Sequence, residues 1–558
     1  MYVLAIHEDT NSNVALFKDS QLLFAAAEER FTRKKFQQGF PHKGLDYIKE
    51  NYGVTLANAD VFVAGNPHHF LSRLPGILPE GEHDFFGPMH RFYLGLQDRL
   101  STVKPLSVAT SAISEAVLRL KAGRKVEFAD HHTAHAYSTY LTSGFEEAVV
   151  ISADNMGDGF AAKVFDGAGG RCTELYGSSA SKSPGQFYGE ITQLLGFHCL
   201  MAGKVTGLAA YEDWRPAYPL VSQLFSLNDE GTDFIVNPLW GRGRNKGVYK
   251  ELQRFSPAMV SAATQKRFED VMVGYARRAV EITGRSKVAM AGGIFGNVKL
   301  NQRIMELPEV DEVFIHPAMS DQGIAVGSAL SWMANKQQLH PEKLDHVFYG
   351  PGFTEEEAGR SLEGARLRYT RPDNMAEALG KLVLDGKVIA RCDGRMEYGP
   401  RALGHRSILF RPDDPRVNDW LNRKLTRSEF MPFAPVTLAE EAHRCYKNVD
   451  KGRYTAEFMT VCFDCTDEMK GNSAGVVHID GTARPQLIRE ETDPVYWGTV
   501  KYFHEKTGIP SIINTSFNMH GEPIVLDTED AVRSFLYSRL DYLSLGPFLV
   551  ENLGTDLE

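Results

Sequence analysis

One short stretch, residues 130–137, places three histidines within five positions, and it constrains which other parts of the chain must meet it. The preceding residues, 125–128, have the alternation of a short strand. If the stretch is helical, His131 and His135 lie one turn apart on the same face, whereas His132 points elsewhere. Two imidazoles at that spacing can bind a divalent metal when carboxylates from other strands complete the shell. The alternative is a helix whose histidines hydrogen-bond to the backbone, but a cluster of three favours the metal.

Two aspartates that follow apolar strands are candidates for that shell. Residues 148–153 predict a strand that runs into Asp154 and a glycine turn, followed by a second strand. In such a hairpin, acidic and backbone groups can meet a metal or a nucleotide phosphate. Residues 313–316 predict another strand, which leads into Asp321 and a helix. We therefore predict that Asp321 joins the metal shell.

Glycine turns before predicted helices indicate a nucleotide site. The strand predicted at residues 288–291 breaks at Gly292 and Gly293, and a helix begins near Asn297. Helix N-termini and free backbone amides suit an anion, and Lys204, which is followed by Gly207, opens a further helix of this kind. The alternative is a set of ordinary strand-to-helix turns, which need glycine and aspartate in any case.

Length and charge limit the kind of protein this is. The 558 residues predict about three or four compact units grouped into two domains. The net charge is −10 and no long basic run occurs, so we expect no nucleic-acid partner and no anionic membrane surface. The most basic stretch, residues 30–35, suits a phosphate-contacting loop and a solvated turn equally well.

Other features predict a cytoplasmic protein. No apolar run reaches the length of a membrane span, and residues 1–6 predict a strand rather than a signal peptide. The six cysteines are scattered, as is typical of reduced thiols.

Past a linker near residues 349–354, basic side chains stand at turns fixed by glycine or proline. Fixed turns hold a guanidinium in one place, which suits bidentate binding of a phosphate or carboxylate. The alternative for any one arginine is a surface ion pair, but so many at rigid turns favour an anion site. The candidate residues for this anion site are Arg401, Arg406, Lys424, Arg427, Arg484, Asn514 and Ser516.

The sequence resembles the O-carbamoyltransferases of the NodU/CmcH type over essentially its whole length. The order and spacing of the shared motifs make the resemblance specific. The motifs are EERFTRKK at 28–35, HHTAH at 131–135, GKVTGLAA at 203–210, AGGIFGNVKLN at 291–301, SDQG at 320–323, GPRALGHRS at 399–407, MPFAP at 431–435, ARPQ at 483–486 and NTSFNMHGEPI at 514–524.

The resemblance implies an α/β protein of two domains. Residues 1–348 would form a TsaD-like domain with an actin/sugar-kinase-like fold, in which two βα subdomains surround a metal and a nucleotide. Residues 349–375 would link it to a YrdC-like α/β domain, residues 376–558, with a basic cavity.

In this family, carbamoyl phosphate and ATP form carbamoyladenylate, with release of pyrophosphate, and an acceptor hydroxyl then attacks the carbonyl. The acceptor would be a hydroxylated small molecule of the kind found in antibiotic biosynthesis and secondary metabolism. The resemblance implies a divalent metal, Fe²⁺, in the first domain and Mg²⁺ with ATP. We expect a homodimer.

The resemblance also assigns roles to residues. The metal ligands would be His131, His135, Asp154 and Asp321. The adenylate would be held by Lys204, Gly207, Gly292, Gly293 and Asn297, and carbamoyl phosphate by Arg401, Arg484, Asn514 and Ser516. The catalytic groups would be His7, His135 and Asp321.

Two departures from the family pattern affect these roles. Many relatives carry His-Asp-Ala-Ser in the first loop, where this chain has Thr-Asn-Ser-Asn at residues 10–13. The base toward the acceptor hydroxyl is therefore either His7 or another group. Second, Met431 replaces an arginine of the family, so Lys424, Arg427 or Arg406 would supply part of the charge.

Two other functions remain open at this point. A threonylcarbamoyl-transfer protein of tRNA modification resembles both halves of the chain, but tRNA binding normally leaves a basic surface. A non-catalytic nucleotide-binding scaffold would explain the departures, but a scaffold has no need of both the metal shell and the arginines.

Overall fold

The structure is a computed structural model that describes residues 1–66, 112–113, 115–120, 122–237, 245–418, 422 and 432–552. The chain forms two compact units. The first consists of Met1–Ala25 and Gln37–Leu344, and the second of Ala26–Phe36 and the residues from Asp345 onward. Within the described ranges, no helix has both the length and the apolarity that a membrane span requires.

Among its described residues, the first unit contains twelve strands, nine α-helices with described bounds and a helical stretch at residues 115–120. The strands are β1 (Tyr2–His7), β2 (Asn13–Lys18), β3 (Gln21–Ala27), β4 (Val61–Gly65), β5 (Glu127–Ala129), β6 (Glu147–Gly157), β7 (Phe160–Ala168), β8 (Arg171–Ser179), β9 (Phe225–Leu227), β10 (Phe234–Val236), β11 (Lys287–Ala291) and β12 (Glu312–Ile315). The helices are α1 (His42–Tyr52), α2 (His131–Ser143), α3 (Pro184–Leu194), α4 (Ala202–Leu208), α5 (Tyr218–Val221), α6 (Lys246–Leu252), α7 (Pro257–Thr283), α8 (Val298–Met305) and α9 (Ile324–Ala334).

The first unit repeats one sheet topology. One five-stranded sheet has the order β3-β2-β1-β4-β5, and the other has the order β8-β7-β6-β11-β12. The central strand of each sheet has one antiparallel and one parallel neighbour. In the first sheet, β1 pairs antiparallel with β2 and parallel with β4. In the second sheet, β6 pairs antiparallel with β7 and parallel with β11. The two βα subdomains of an actin/sugar-kinase-like α/β fold are therefore present.

Local sequence signals account for the boundaries of the longest helix. The side chain of Ser256 caps α7 by accepting a hydrogen bond from the amide of Met259, and Pro257 occupies the first helical position. Gly284 ends the helix in the left-handed conformation. The ends of α7 are therefore set by its own sequence.

Helix α2 packs closely against α9. A Cβ atom placed on Gly327 of α9 would lie 1.9 Å from the carbonyl oxygen of Ala134, so only glycine permits this approach. Almost every residue of both helices is buried. The contact fixes the position of the helix that carries the three histidines.

Besides a short helix at Glu28–Thr32 and helical residues at 417–418, the second unit contains ten strands and six α-helices with described bounds. The strands are β13 (Tyr369–Thr370), β14 (Ile389–Cys392), β15 (Arg406–Phe410), β16 (Ala434–Leu438), β17 (Phe463–Asp464), β18 (Thr482–Ala483), β19 (Gln486–Ile488), β20 (Ser511–Ser516), β21 (Tyr542–Leu545) and β22 (Phe548–Glu551). The helices are α10 (Glu355–Gly364), α11 (Met375–Leu384), α12 (Ala442–Cys445), α13 (Asp467–Asn472), α14 (Pro494–Thr507) and α15 (Thr528–Ser538).

A mixed eight-stranded sheet organises the second unit. Its order is β13-β22-β21-β14-β15-β20-β16-β19. Helices α11 and α14 cover one face, where Leu379, Val383 and Phe503 pack on Ile389 and Ile512 of the sheet. The second unit is therefore also of the α/β type.

The two arginines of the basic stretch at residues 30–35 make contacts within the protein, whereas Lys34 and Lys35 are exposed. The guanidinium of Arg33 donates hydrogen bonds of 2.8 and 2.7 Å to the carbonyl oxygens of Pro523 and Ile524 and forms an ion pair with Asp530. Arg30 is buried and donates to the carbonyl oxygen of Gly399. Both arginines therefore bind the segment Ala26–Phe36 to the second unit.

Candidate metal centre and anion site

Four side chains of the first unit bring their ligand atoms together. His131 and His135 lie on α2, Asp154 on β6 and Asp321 on the turn after β12. Nε2 of His135 lies 3.4 Å from Oδ2 of Asp154 and 3.6 Å from Oδ1 of Asp321. Nε2 of His131 lies 3.7 Å from the same Oδ1 atom. All four ligand atoms lie within 4.8 Å of one another, so the residues predicted to bind a metal meet in one place.

The spacing of these atoms fits a metal ion better than a hydrogen-bonded cluster. Distances of 3.4 to 3.7 Å exceed the length of a hydrogen bond, which is about 2.7–3.2 Å. Ligand atoms bound at about 2.0–2.2 Å to one tetrahedral ion stand about 3.3–3.6 Å apart. Two imidazoles and two carboxylates are also a suitable donor set for a borderline divalent metal.

Burial and the close approach of two carboxylates favour a positive charge within the cluster. Burial and the neighbouring Asp154 carboxylate raise the pKa of Asp321 to about 7. Burial alone would lower the pKa of His135, but Asp154 and Asp321 raise it to about 9. Two carboxylates this close in a buried site therefore favour a proton or a cation between them.

Two aspartates and one glycine fix the position of the N-terminus of α2. The side chain of Asp130 caps the helix by accepting from the amide of Thr133 at 2.9 Å. Asp158, from the turn after β6, accepts from the amide of His131 at 2.8 Å. A Cβ atom on Gly157 would lie 2.1 Å from the ring of His131, so this imidazole packs directly on the backbone of β6.

Asp154 is directed by an irregularity in its strand. The register of β6 against β7 shifts between Ala153 and Gly157, and such bulges re-aim side chains. Its carboxylate accepts from the amides of Asn155 and Gly293, both at 2.6 Å. These bonds hold the carboxylate toward His135.

His132 points away from the cluster, as the helical spacing predicts. Its Nδ1 lies 2.7 Å from the hydroxyl of Ser152, and its Nε2 lies 3.0 Å from the carbonyl oxygen of Phe160. Burial lowers its pKa to about 4. The middle histidine is therefore a neutral residue of the core.

His7 lies beside the candidate metal centre. It ends β1 and is buried, with its Nε2 3.3 Å from the carbonyl oxygen of Thr10. The centroid of its ring is 6.5 Å from that of His131. The altered first loop thus retains a histidine near the cluster.

The residues predicted to hold the adenylate lie on two separate segments of the first unit. Lys204 lies in the first turn of α4, with its ammonium 5.6 Å from the ring of Phe197, and Gly207 is buried in the same helix. Gly292 donates from its amide to the carbonyl oxygen of Met319 at 2.6 Å, and Gly293 donates to Asp154.

Asn297 caps α8, since its Oδ1 accepts from the amide of Leu300 at 3.1 Å. Its amide nitrogen donates to Oε1 of Gln265 at 2.9 Å. The hydroxyl of Tyr188 donates to the same Oε1 at 2.8 Å and lies 2.9 Å from the hydroxyl of Thr206 on α4. Gln265 therefore connects the two segments, while their contact with an adenylate stays a prediction.

In the second unit, Arg401 and Arg484 lie near each other without an acidic partner among the described residues. Burial lowers the pKa of Arg401, and the charge of Arg484 lowers it further. Burial likewise lowers the pKa of Arg484. Two cationic groups held in this way attract an anion.

Hydrogen bonds from neighbouring strands hold the turn that carries Arg401. Asn514 on β20 donates to the carbonyl oxygen of Ala402 at 3.1 Å and to Oε1 of Gln486 at 2.8 Å. Gln486 on β19 donates to the carbonyl oxygen of Leu403 at 2.8 Å. Asn514 is therefore brought to the Arg401 turn, whereas Ser516 donates to Oδ1 of Asn518 at 2.6 Å.

Arg406 has no N–H group left for a ligand. Its guanidinium donates five hydrogen bonds of 2.5 to 3.3 Å to main-chain carbonyl oxygens. The acceptors are Asp393, Gly394, His405 and Leu526. We therefore leave Arg406 out of the candidate anion site.

Lys424, Arg427 and Met431 lie outside the described residues. Their predicted effect on the carbamoyl phosphate pocket stays a prediction.

Several residues that position the site were not predicted from the sequence. Asp158, Gln265 and Asn66, whose Oδ1 lies 2.8 Å from Nδ1 of His131, are single residues without a repeated pattern around them. Asn66 directly follows a buried strand, and its place as a polar residue at a strand end is the one signal that could have identified it.

Comparisons with known proteins agree over both units. A family model described as "Carbamoyltransferase N-terminus" matches residues 4–330, and one described as "Carbamoyltransferase C-terminus" matches residues 380–552. Nodulation protein NolNO of Sinorhizobium fredii is 31% identical over 96% of this chain and 78% of its own length. Nodulation protein NolO of Bradyrhizobium diazoefficiens is 34% identical over 77% of this chain and 80% of its own length.

Solved structures are more distant. A ROK hexokinase from Thermus thermophilus is 13% identical, with a TM-score of 0.29, and the match covers 60% of this chain and 99% of the hexokinase.

Proposed function

We propose, on the premise that this chain belongs to the carbamoyltransferase family, that it is an ATP-dependent O-carbamoyltransferase acting on a hydroxylated small molecule. Membership of the family makes the chain a transferase. The substrates, the two-step mechanism and the acceptor are our proposal. The observation that supports it most is the convergence of His131, His135, Asp154 and Asp321.

In the first step, carbamoyl phosphate and ATP form carbamoyladenylate. Water takes up the phosphoryl group of carbamoyl phosphate, the carbamate oxygen bonds to the α-phosphorus of ATP, and pyrophosphate leaves. We assign this step to Arg401 and Arg484, whose charges would neutralise the phosphates of the substrate and the departing pyrophosphate. Asn514 would keep the Arg401 turn in place, and we expect ATP to bind as its Mg²⁺ complex.

In the second step, the acceptor oxygen attacks the carbamoyl carbon, the bond to AMP breaks, and the acceptor proton passes to a base. We propose His7 as that base, since it lies beside the cluster and a positioned histidine suits the task. Lys204 and the turn at Gly292 and Gly293 would hold the adenylate through a cation and backbone amides.

The four ligand residues would hold a divalent metal, which we expect to be Fe²⁺. When bound, the metal would polarise the adenylate phosphate and make AMP a better leaving group. The chain's own part is to orient its ligands, through the bonds to Asp154 and the packing of His131 on Gly157.

The acceptor would be a natural-product-like molecule with a free hydroxyl. We expect residues 66–105 and 212–250 to select it, although most of the first stretch and residues 238–244 lie outside the described residues. A homodimer and a cytoplasmic location also stay predictions.

The test is pyrophosphate release from ATP by the native protein, with carbamoyl phosphate present and no acceptor added. We expect release that depends on carbamoyl phosphate, because the first step needs no hydroxyl. A reaction without carbamoyl phosphate is the control. Release that is equal in both reactions, or absent from both, would contradict the proposed first step.

A further inference from the structure

One of the two histidine ligands has a buried partner on its far side. Nδ1 of His131 lies 2.8 Å from Oδ1 of Asn66, while its Nε2 faces Asp321. Both side chains are buried, and Asn66 lies 65 residues away from His131, directly after β4. Because water does not compete for this buried hydrogen bond, the bond determines the tautomer of the His131 ring.

The bond fixes which nitrogen of His131 carries the proton. The amide oxygen of Asn66 accepts hydrogen bonds and donates none, so the proton is on Nδ1. In the neutral ring, Nε2 is then unprotonated and its lone pair points toward Asp321. This is the tautomer that a metal ligand requires at Nε2.

The backbone at Asn66 is built for this contact. Its φ angle is +57°, in the left-handed region, which asparagine tolerates better than most residues. Gly65 before it is also tightly packed, because a Cβ atom there would lie 2.4 Å from Ile324 of α9. The end of β4 is therefore held at the position where the Asn66 side chain reaches the ring.

The second histidine ligand lacks such a partner. Nδ1 of His135 has no hydrogen-bond partner among the described residues. Its ring is instead positioned through Asp154 and Asp321, which lie on the metal side. The two ligands of α2 are thus oriented by different means, and the orientation of His131 comes from outside the cluster.

We propose that Asn66 is a positioning residue of the metal centre, which fixes the tautomer and the orientation of His131 so that Nε2 is ready to bind the metal. This inference rests on the metal centre of the proposed function. Partners of this kind behind a metal-bound histidine are worth about 10–100-fold in metal affinity.

The test is titration of the metal-free protein with Co²⁺, followed by its visible absorption, which reports both affinity and coordination. We expect Asn66→Gly to bind Co²⁺ about 10–100-fold more weakly than the native protein, because the acceptor is lost while the left-handed backbone is kept without strain. Asn66→Asp keeps both the acceptor oxygen and the backbone tolerance, so we expect it to restore native affinity or better.

Asn448→Gly is the matched control, because Asn448 has a φ angle of +54° and lies in the second unit. It should bind Co²⁺ as the native protein does. Thermal unfolding of each metal-free variant checks the fold.

Equal Co²⁺ affinities of the native protein and Asn66→Gly would overturn the role of Asn66, and so would an Asn66→Asp variant as weak as Asn66→Gly. A native protein that binds no Co²⁺ would overturn the metal centre itself and this inference with it. Pyrophosphate release in the absence of an acceptor is measured separately, so a failure of the first step is distinguished from both.

Discussion

The two units treat buried charge in opposite ways. In the second unit, Arg391 is 1% exposed and donates to Asp493 at 2.6 Å, to Asp393 at 2.7 Å and to the carbonyl oxygen of Gly404. In the first unit, buried His131 and His135 and half-buried Asp154 and Asp321 have their ligand atoms turned toward one another at distances too long for hydrogen bonds.

This difference distinguishes charges that neutralise each other from charges that we propose to bind a ligand. A buried ion pair with good geometry neutralises itself, and breaking it costs stability. Two carboxylates that lie close together instead repel each other, and a cation or a proton between them relieves this repulsion. The same contrast holds between arginines of the second unit, because Arg406 donates every N–H group to the main chain and Arg401 has no acidic partner among the described residues.

The largest expected effect is on the cluster. Asp321→Ala should reduce carbamoyl transfer by about a thousandfold or more, because the metal loses a ligand and the transition state loses several kcal/mol of stabilisation. His135→Ala should act alike. The metal-free Asp321→Ala variant should unfold no more easily than the metal-free native protein, since one of the two facing carboxylates is gone. Transfer rates and thermal unfolding measure the two effects, and the exposed Asp46→Ala on α1 is the control. Normal turnover by Asp321→Ala would contradict the metal centre.

In the second unit, removal of a buried charge should lower the free energy of unfolding. Asp493→Asn leaves Arg391 buried without its main partner and should lower the free energy of unfolding by about 3–5 kcal/mol. Asparagine can still cap α14, as Asp493 does by accepting from the amide of Tyr496, so the loss reports the ion pair. Urea unfolding measures it.

The control for this variant is Asp213→Asn, which breaks an exposed ion pair with Arg215 and should leave stability unchanged. If Asp493→Asn were as stable as the native protein, the ion pair of Arg391 would not stabilise the second unit, and the contrast between the two units would be refuted.

Among the arginines, Arg401→Ala should slow pyrophosphate release by about a hundredfold without destabilising the fold, because a charged contact to the reacting phosphates disappears. Arg401→Lys should fall between, since it keeps the charge and loses the planar fork. The exposed Arg371→Ala in the same unit is the matched control. Unchanged release by Arg401→Ala would remove this residue from the proposed anion site.

The smallest expected effect is on the pH dependence of stability. Burial raises the pKa of Asp493, but Arg391 and His405 hold it well below its usual range. A folded pKa below the unfolded value of about 3.9 makes the stabilisation complete above that pH and lost as the pH falls below it, by about 1.4 kcal/mol per pH unit. Urea midpoints measured below about pH 4 should fall with this slope in the native protein and less steeply in Asp493→Asn, whereas above about pH 5 this group should contribute no slope. Identical slopes would contradict the lowered pKa.

Much of the candidate metal centre was predictable because its residues follow regular patterns. The spacing of His131 and His135 requires only a helix, and Asp154 and Asp321 follow apolar strands whose ends are marked by glycine. The strand predicted at residues 1–6 is likewise confirmed, since β1 spans Tyr2–His7.

The remaining residues could not be predicted because their roles depend on distant partners. Arg401 and Arg406 stand in the same glycine-rich motif, and their difference comes from carbonyl groups such as that of Leu526, 120 residues later. Asn66 contacts His131 only because β4 and α2 meet in the folded chain. No local pattern contains that information.

The segment Ala26–Phe36 has a consequence for how this protein can be divided. It lies within the stretch of sequence that otherwise builds the first unit, yet Arg33 binds Pro523, Ile524 and Asp530. A polypeptide that begins at residue 345 would lack this helix and leave those groups uncovered. Since this unit is built from two separate stretches of the chain, no single cut in the sequence yields the second unit whole.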